Sequence, residues 1–396
     1  GSSVGNTVTT GSVTIPMMKK TGYHPDFAGA VEAAASTGGQ IMPPIMGAAA
    51  FLMAGYLDLP YATVAVKAIL PAVLYFTGIF IAVHLEAKKL GLKGLSKDEM
   101  PKWADLGKKI YLLAPLVLLV WLVSSGAKTM QFSAAVSILA AVIVGFLNKD
   151  ERLTFKKIFE ALEAGAKGAI TVAVACAIAG MIAGCITVTG LASILINTIV
   201  QLAGSATFIG LILTMVCCIV LGMGVPTTAN YCIMASTCAP ILIKMGFPLV
   251  AAHFFVFYFG IVADITPPVA LAAYAGSAIA KGNPMKTGIN ATKLAIAAFI
   301  VPYIFAYSPA MLFVNVTSVW EVIQIVLSAL LGIFGVAAGL EGFVLRKMNW
   351  LYRIVCLVGG LGLMIPGAIS DLVGLVLIGG VFVIQYLQNK KEREIA

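Results

Sequence analysis

Two short stretches place hydroxyl and amide side chains inside otherwise apolar sequence. Ser3, Asn6 and Thr7 lie in Ser2-Ser3-Val4-Gly5-Asn6-Thr7, and Thr227, Thr228 and Asn230 lie in Met223-Gly224-Val225-Pro226-Thr227-Thr228-Ala229-Asn230. Such groups are hard oxygen donors, and beside unwound backbone carbonyls they suit a sodium ion; their plainer role is to cap the ends of broken helices. A third feature is Asp264, an acid at the centre of an apolar run. At the middle of a bilayer such a charge costs at least ~2.5–3.5 kcal/mol, which makes function the default reading, as sodium ligand or as proton carrier. Glu32, in an Ala-rich stretch, fits a structural or a functional role. Lys20 and Lys244 read as residues that snorkel to the membrane faces.

The elements that hold these residues follow from composition. The 396 residues are 60% apolar and 11% charged, against about 45–50% and about 25% in a soluble domain. A water-soluble globule is excluded, and runs apolar on every side, such as Ile110 to Val123, do not alternate as barrel strands do. The chain reads as an all-α polytopic membrane protein, with crossings expected near 61–85, 109–125, 130–147, 166–188, 291–308, 322–344, 350–367 and 369–388. The net charge of +9 sits in short clusters between these runs, which is a topology signal and not a nucleic-acid surface. Lys88, Lys89, Lys93, Lys97, Lys102, Lys108 and Lys109, then Lys149, Arg152, Lys156 and Lys157, then Lys281, Lys286 and Lys293, then Arg346, Lys347 and Arg353, and finally Lys390, Lys391 and Arg393 all fall on one side. The opposite turns carry only Lys128. The C-terminus is therefore expected in the cytoplasm.

Sliding the sequence along itself exposes an ungapped repeat. Residues 6–63 and 230–287 are identical at 14 of 58 positions, where composition alone gives roughly five. The matches include Asn6/Asn230, Ser12/Ser236, Pro16/Pro240, Lys20/Lys244, Gly22/Gly246, Pro43-Pro44/Pro267-Pro268 and Pro60/Pro284. In the second copy an apolar run from Ala206 to Gly222 breaks at the polar stretch and resumes through Lys244, the pattern of a re-entrant hairpin. The first copy opens at the equivalent tip, so its descending arm is expected to lie before residue 1. Each copy continues into a helix interrupted by a double proline, which cannot sustain helical hydrogen bonding.

Charge sets the orientation. Ala54 to Thr63 has no Lys or Arg, whereas its counterpart Ala278 to Thr287 has Lys281 and Lys286. One copy is thus expected to end outside and the other inside, with the crossings and an interfacial segment Leu191 to Ala203 producing the inversion. Inverted repeats with broken helices build the central sites of secondary transporters. The expected organisation is a first repeat over 1–60, connecting scaffold-like helices over 61–165, a second repeat over 166–290 and C-terminal helices over 291–396.

The stretches Ser36-Thr37-Gly38-Gly39-Gln40-Ile41-Met42-Pro43-Pro44 and Val262-Ala263-Asp264-Ile265-Thr266-Pro267-Pro268 resemble the large membrane subunit of a tripartite ATP-independent periplasmic (TRAP) transporter, and more narrowly its fused branch that works with a TAXI-type binding protein. The resemblance implies an elevator-type ion transporter architecture in a bacterial or archaeal inner membrane. It implies cation-coupled import of small organic acids, delivered by a periplasmic binding protein, and a small membrane subunit or N-terminal fused segment absent from this chain. No cofactor is implied, and the coupling ion is Na+ with H+ as the alternative. Cation ligands are expected at Ser3, Asn6, Gly38, Gly39, Thr227, Asn230, Ala263, Asp264 and Thr266, and substrate contacts at Thr7, Gln40 and Thr228. The alternative reading is a free-standing sodium/dicarboxylate-type transporter, with a passive channel or intramembrane enzyme behind it.

Other motifs carry less. Gly1-Ser2-Ser3-Val4-Gly5 matches G-x-S-x-G in letters only, since a nucleophile elbow needs a preceding strand. Gly359-Gly360-Leu361-Gly362 is no phosphate loop, and Gly335 and Gly339 have the spacing that packs helices within a protein. The seven cysteines lie in apolar stretches without a C-x-x-C pair, and His24, His84 and His253 are too scattered for a metal site.

Overall fold

The computed structural model describes residues 2–94, 103–125, 129–148, 152–365 and 367–395; Gly1, Lys97, Lys102, Lys128 and Lys149 lie outside them. Nineteen α-helices follow one another among the described residues, with one isolated β-bridge, Phe343 to Lys347. The first four are α1 (Ser3–Thr21), α2 (Pro25–Gly38), α3 (Ala48–Leu57) and α4 (Tyr61–Leu90). Then come α5 (Trp103–Lys108), α6 (Ala114–Ser125), α7 (Met130–Leu147), α8 (Phe155–Val188), α9 (Leu191–Ala203) and α10 (Thr207–Gly222). The second half holds α11 (Thr227–Thr237), α12 (Ala239–Lys244), α13 (Leu249–Val262), α14 (Leu271–Ala280), α15 (Pro284–Leu294), α16 (Ile296–Tyr307), α17 (Val319–Glu341), α18 (Trp350–Gly362) and α19 (Ala368–Ile395).

Side chains that are apolar and uncovered dominate the outside: Phe80 is 72% exposed, Val188 89% and Ile369 81%. In water, a continuous apolar surface of this kind would associate or precipitate; in lipid it is the favoured outer face. Among the described residues four helices, Tyr61–Leu90, Pro284–Tyr307, Val319–Glu341 and Ile369–Lys390, are long and apolar enough to cross a membrane, and α8 with α9 forms a pair bent by 69°. Two expected crossings are shorter than the sequence suggests. The span expected from 109 starts as a 3-10 turn over Ile110–Leu113 before α6. The span expected over 350–367 is the 13-residue α18, about 20 Å long at 1.5 Å per residue, against a hydrocarbon core of about 30 Å. Beyond its end the Ser370 hydroxyl donates to the carbonyls of Ile365 and Gly367, which satisfies a turn in place of further helix.

The repeat seen in the letters is also a repeat of elements. α1 starts at Ser3 and α11 at the matching Thr227; α1 ends on left-handed Gly22 at φ 113°, and α12, which continues α11 past its break, is followed by left-handed Gly246 at φ 91°. α2 and α13 have matching limits at the same offset, and Pro43-Pro44 and Pro267-Pro268 are both cis. α3 and α14 close the two units. Pro16 is accommodated inside the continuous α1, while its mate Pro240 lies at the start of α12, after a break at Cys238.

The two units interlock. α14 packs against both α1 and α2, and a Cβ on Gly276 would stand 2.5 Å from the Gly29 carbonyl oxygen, so the backbones touch where only glycine fits. The Lys19 ammonium donates to the Ala280 carbonyl at 2.7 Å, and the Asn283 N–H donates to Asp26 Oδ1 at 2.6 Å. These bonds fix the end of α1 and the start of α2 beside the end of the second copy. At the C-terminus Gly335 faces Ile378 and the Cys356 carbonyl, and Gly339 faces Leu357, so the G-x-x-x-G spacing packs α17 within the protein, as the sequence suggests. Gly360 meets Gly332 on α17 and Gly359 meets Leu377 on α19, which gives the glycine-rich run of α18 a packing role.

Candidate functional site

Capping at the first tip is done by Ser2, whose side chain accepts the Gly5 N–H. That leaves Ser3 free for a longer reach. Its hydroxyl donates to Asp264 Oδ2 at 2.6 Å, across 261 residues, with Ser3 1% and Asp264 6% exposed. Asp264 sits in the 3-10 turn Ala263–Ile265 that α13 adopts before the double proline. The tip of one copy and the break of the other are thus joined by a hydrogen bond to a carboxylate, a class roughly twice as strong as a neutral bond when the acid is ionised. Among the described residues no Lys, Arg or His forms an ion pair with Asp264.

The two asparagines repeat one geometry. Asn6 Nδ2 donates to the Ser36 hydroxyl at 3.1 Å, and Asn230 Nδ2 donates to the Gly260 carbonyl at 2.9 Å, each pair 30 residues apart. Each ties its tip to the helix that follows. Asn6 is exposed, while Asn230 is 1% exposed and its Oδ1 has no hydrogen-bond partner. Gly222 is placed by the same contact, since a Cβ there would come within 2.7 Å of Asn230 Nδ2.

Gln40 is the repeat mate of Asp264 and is also buried, at 2% exposure, with neither Oε1 nor Nε2 bonded. A buried amide left unpaired costs about 1–3 kcal/mol, and so this side chain is available to a polar ligand. Thr7 is buried and donates to the Ser3 carbonyl at 2.8 Å, and Thr266 donates to the Val262 carbonyl at 2.7 Å. Thr227 is buried and Thr228 half-buried at the start of α11. The Gly38 carbonyl accepts from both Ile41 and Met42, and the Ala263 carbonyl accepts from Thr266 N–H at 3.3 Å; a carbonyl oxygen offers two lone pairs, so that single bond leaves one of Ala263's open, whereas Gly38 would have to give up or share one of its two bonds to meet a cation. Gly39 is exposed. Of the expected site residues, only Ser3 and Asp264 bond each other across the copies; Gln40 bonds none.

Several supporting groups escape the sequence reading. Tyr61 donates to the Pro44 carbonyl at 2.7 Å and Tyr274 to the Pro268 carbonyl at 2.6 Å, so a tyrosine holds each double proline in place. Tyr75 donates to the Ala34 carbonyl, and its ring lies where a Gly38 Cβ would be. Thr292 donates to the Ile265 carbonyl at 3.1 Å. The partners lie at unequal separations, which no periodicity marks. An apolar cavity of about 440 Å³ borders the first break, lined by Gly39, Pro43, Pro44, Phe76, Leu116 and Val120.

No curated protein matches the chain. Residues 1–320 match the family described as the tripartite ATP-independent periplasmic transporter, DctM component. With most of the chain covered, and with apolar helices that fit a multi-pass membrane protein, the chain belongs to the DctM family, the permease component of TRAP transporters.

Proposed function

We propose that this permease imports small organic acids by cation coupling, taking them from a TAXI-type periplasmic binding protein and working with a small membrane subunit or fused N-terminal segment. The observation that carries the reading is the Ser3 to Asp264 hydrogen bond between the tip of one copy and the break of the other. A site shared between two units that move relative to a scaffold is loaded or emptied as they move, the logic of an elevator. The copies run in opposite directions across an inner membrane, and the C-terminus is cytoplasmic.

The donor set fits a hard monovalent cation. Asn230 Oδ1 is a buried oxygen without a partner, and Ser3, Thr227, Thr266 and the carbonyls of Gly38, Gly39 and Ala263 are oxygens near the tips and breaks. Sodium suits these ligands, and the proton is the second reading because Asp264 is the one titratable group at the breaks. Gln40, Thr7 and Thr228 are assigned to the carboxylate substrate, the unpaired Gln40 amide being a donor for it. The residues act by binding and orienting, not by bond making, so the protein is a carrier and not an enzyme.

Uptake of labelled dicarboxylates into vesicles, with and without the binding protein and with sodium and proton gradients imposed separately, tests this. Dependence on binding protein and on one gradient is expected. Flux without any gradient would replace the carrier with a channel. Cysteine at Leu59 should react with an impermeant thiol reagent from outside, and cysteine at Asn283 only from the cytoplasm; labelling of both from one side would overturn the opposed orientation.

A further inference from the structure

Glu32 lies outside the contacts described above. It is 7% exposed on α2, and three hydroxyls close on its carboxyl group. Oε1 is bonded by Thr10 and by Ser36, the latter at 3.2 Å, and Oε2 by Thr14. Thr10 and Thr14 share one face of α1 with Asn6, which donates to Ser36 and so closes the cluster toward the tip. Among the described residues no Lys, Arg or His nitrogen pairs with Glu32. A buried carboxylate without a positive partner needs compensation.

Both oxygens are already in direct hydroxyl contact, and a Cβ on Gly11 would stand only 3.0 Å from Glu32 Cγ. A metal ion would have to push these groups apart, whereas a proton needs no heavy-atom movement. The hydroxyl protons can be counted. Thr14 Oγ1 lies 3.0 Å from the Thr10 carbonyl and Thr10 Oγ1 lies 2.8 Å from the Asn6 carbonyl, so each threonine has two acceptors for its one proton. With Glu32 ionised, both threonines donate to it. With a proton on Oε2, the acid donates to Thr14 Oγ1 and Thr14 turns its own proton to the Thr10 carbonyl. One O–H bond forms or breaks, the proton comes from or goes to water, and in either state every hydroxyl proton of the cluster has an acceptor and both carboxyl oxygens have a partner.

The second copy replaces the whole set. Met234, Cys238, Val256 and Gly260 stand at the mates of Thr10, Thr14, Glu32 and Ser36. Charged and titratable groups on the elements packed around α2 are engaged elsewhere or exposed. On α1, Lys19 bonds the Ala280 carbonyl and Lys20 is exposed; on α14, Tyr274 bonds the Pro268 carbonyl; on α15, Lys293 and Lys286 are exposed. On α4, Tyr61 and Tyr75 bond carbonyls, Lys67 bonds those of Leu312 and Phe313, His84 stacks on Phe80, and Glu86 pairs with Lys89; Lys88 lies with them at the end of that helix. Asp264 holds Ser3, and on α2 itself Asp26 holds Asn283 N–H.

We infer that Glu32, with Thr10, Thr14 and Ser36, is a proton-binding site inside the first copy, separate from the Ser3 to Asp264 contact, and that its proton moves with the transport cycle. Proton binding stands on the cluster alone, while its movement rests on the transport reading. Infrared difference spectra between acid and alkaline buffer, recorded on the chain in lipid with Asp264→Asn as background, read the site directly. A protonated-carboxyl band lost on alkalinisation is expected; adding Glu32→Gln removes it and adding Thr14→Val shifts it. An unchanged spectrum in either variant, or loss of the band on adding sodium at fixed pH, overturns the assignment. In vesicles, Glu32→Gln should lose the stimulation of uptake by an inward proton gradient, and stimulation equal to the parent's overturns the coupling. A parent chain with no uptake at all, beside a positive infrared result, would sink the transport reading and leave the proton site standing.

Discussion

The two copies share a backbone plan and differ in where they keep their acid. The first has Gln40 at its break and Glu32 in the preceding helix, surrounded by hydroxyls; the second has Asp264 at its break and Val256 in that helix. Glycine turns, cis double prolines and the asparagine bonds are kept in both. The geometry of a broken helix therefore leaves the charge of the site open, and each copy has been given a different electrostatic task on the same frame.

The largest expected effect breaks that comparison at its acid. Asp264→Asn, near-isosteric and uncharged, should reduce concentrative uptake to background, while Gln40→Glu should leave partial activity, measured as initial rates against sodium and pH. Uptake by Asp264→Asn as steep in sodium and as pH-dependent as the parent's would make Asp264 a structural residue. Loss of the pH dependence alone would place the coupling proton at Asp264 instead of Glu32.

Next in size is the seam between copies. Gly276→Val forces a side chain into the Gly29 backbone and should cost about 3 kcal/mol or more, seen as a large fall in thermal stability in detergent. Gly362→Ala, whose added carbon meets its nearest neighbour at 3.8 Å, is the tolerated control. Equal melting of the two variants would mean the copies do not depend on that contact.

The smallest effect separates the asparagines. Asn230→Ala removes a buried bond and should cost about 1–3 kcal/mol, whereas Asn6→Ala, on an exposed side chain, should stay within about 0.5 kcal/mol. Thermal melts of both variants in one detergent make the comparison. A larger loss for Asn6→Ala would show that the Ser36 and Glu32 cluster, and not burial, governs the tip.

Much of the frame is readable before folding. Pro43-Pro44 and Pro267-Pro268 announce breaks because proline lacks a donor, and the fixed spacing from Gly22 to the first pair and from Gly246 to the second announces the repeat. Crossing lengths are less readable: hydropathy carries 350–367 as one run, but the chain turns after Gly362. The threonines around Glu32 also had a signal, a spacing of four from Asn6 to Thr10 to Thr14, which puts them on one helix face but does not say what they face.

By itself the sequence determined the solvent, the helical class, the repeat and the identity of the polar groups, because apolar length, proline chemistry and residue identity are local properties of the chain. Tertiary structure alone decided the partners. Ser3 meets Asp264 across 261 residues, Tyr61 and Tyr274 reach back to the two double prolines at unequal separations, and Gly29 meets Gly276. Hydrogen bonds and close backbone contacts depend on distances that packing sets, and no period along a chain encodes which of two distant helices will lie against which.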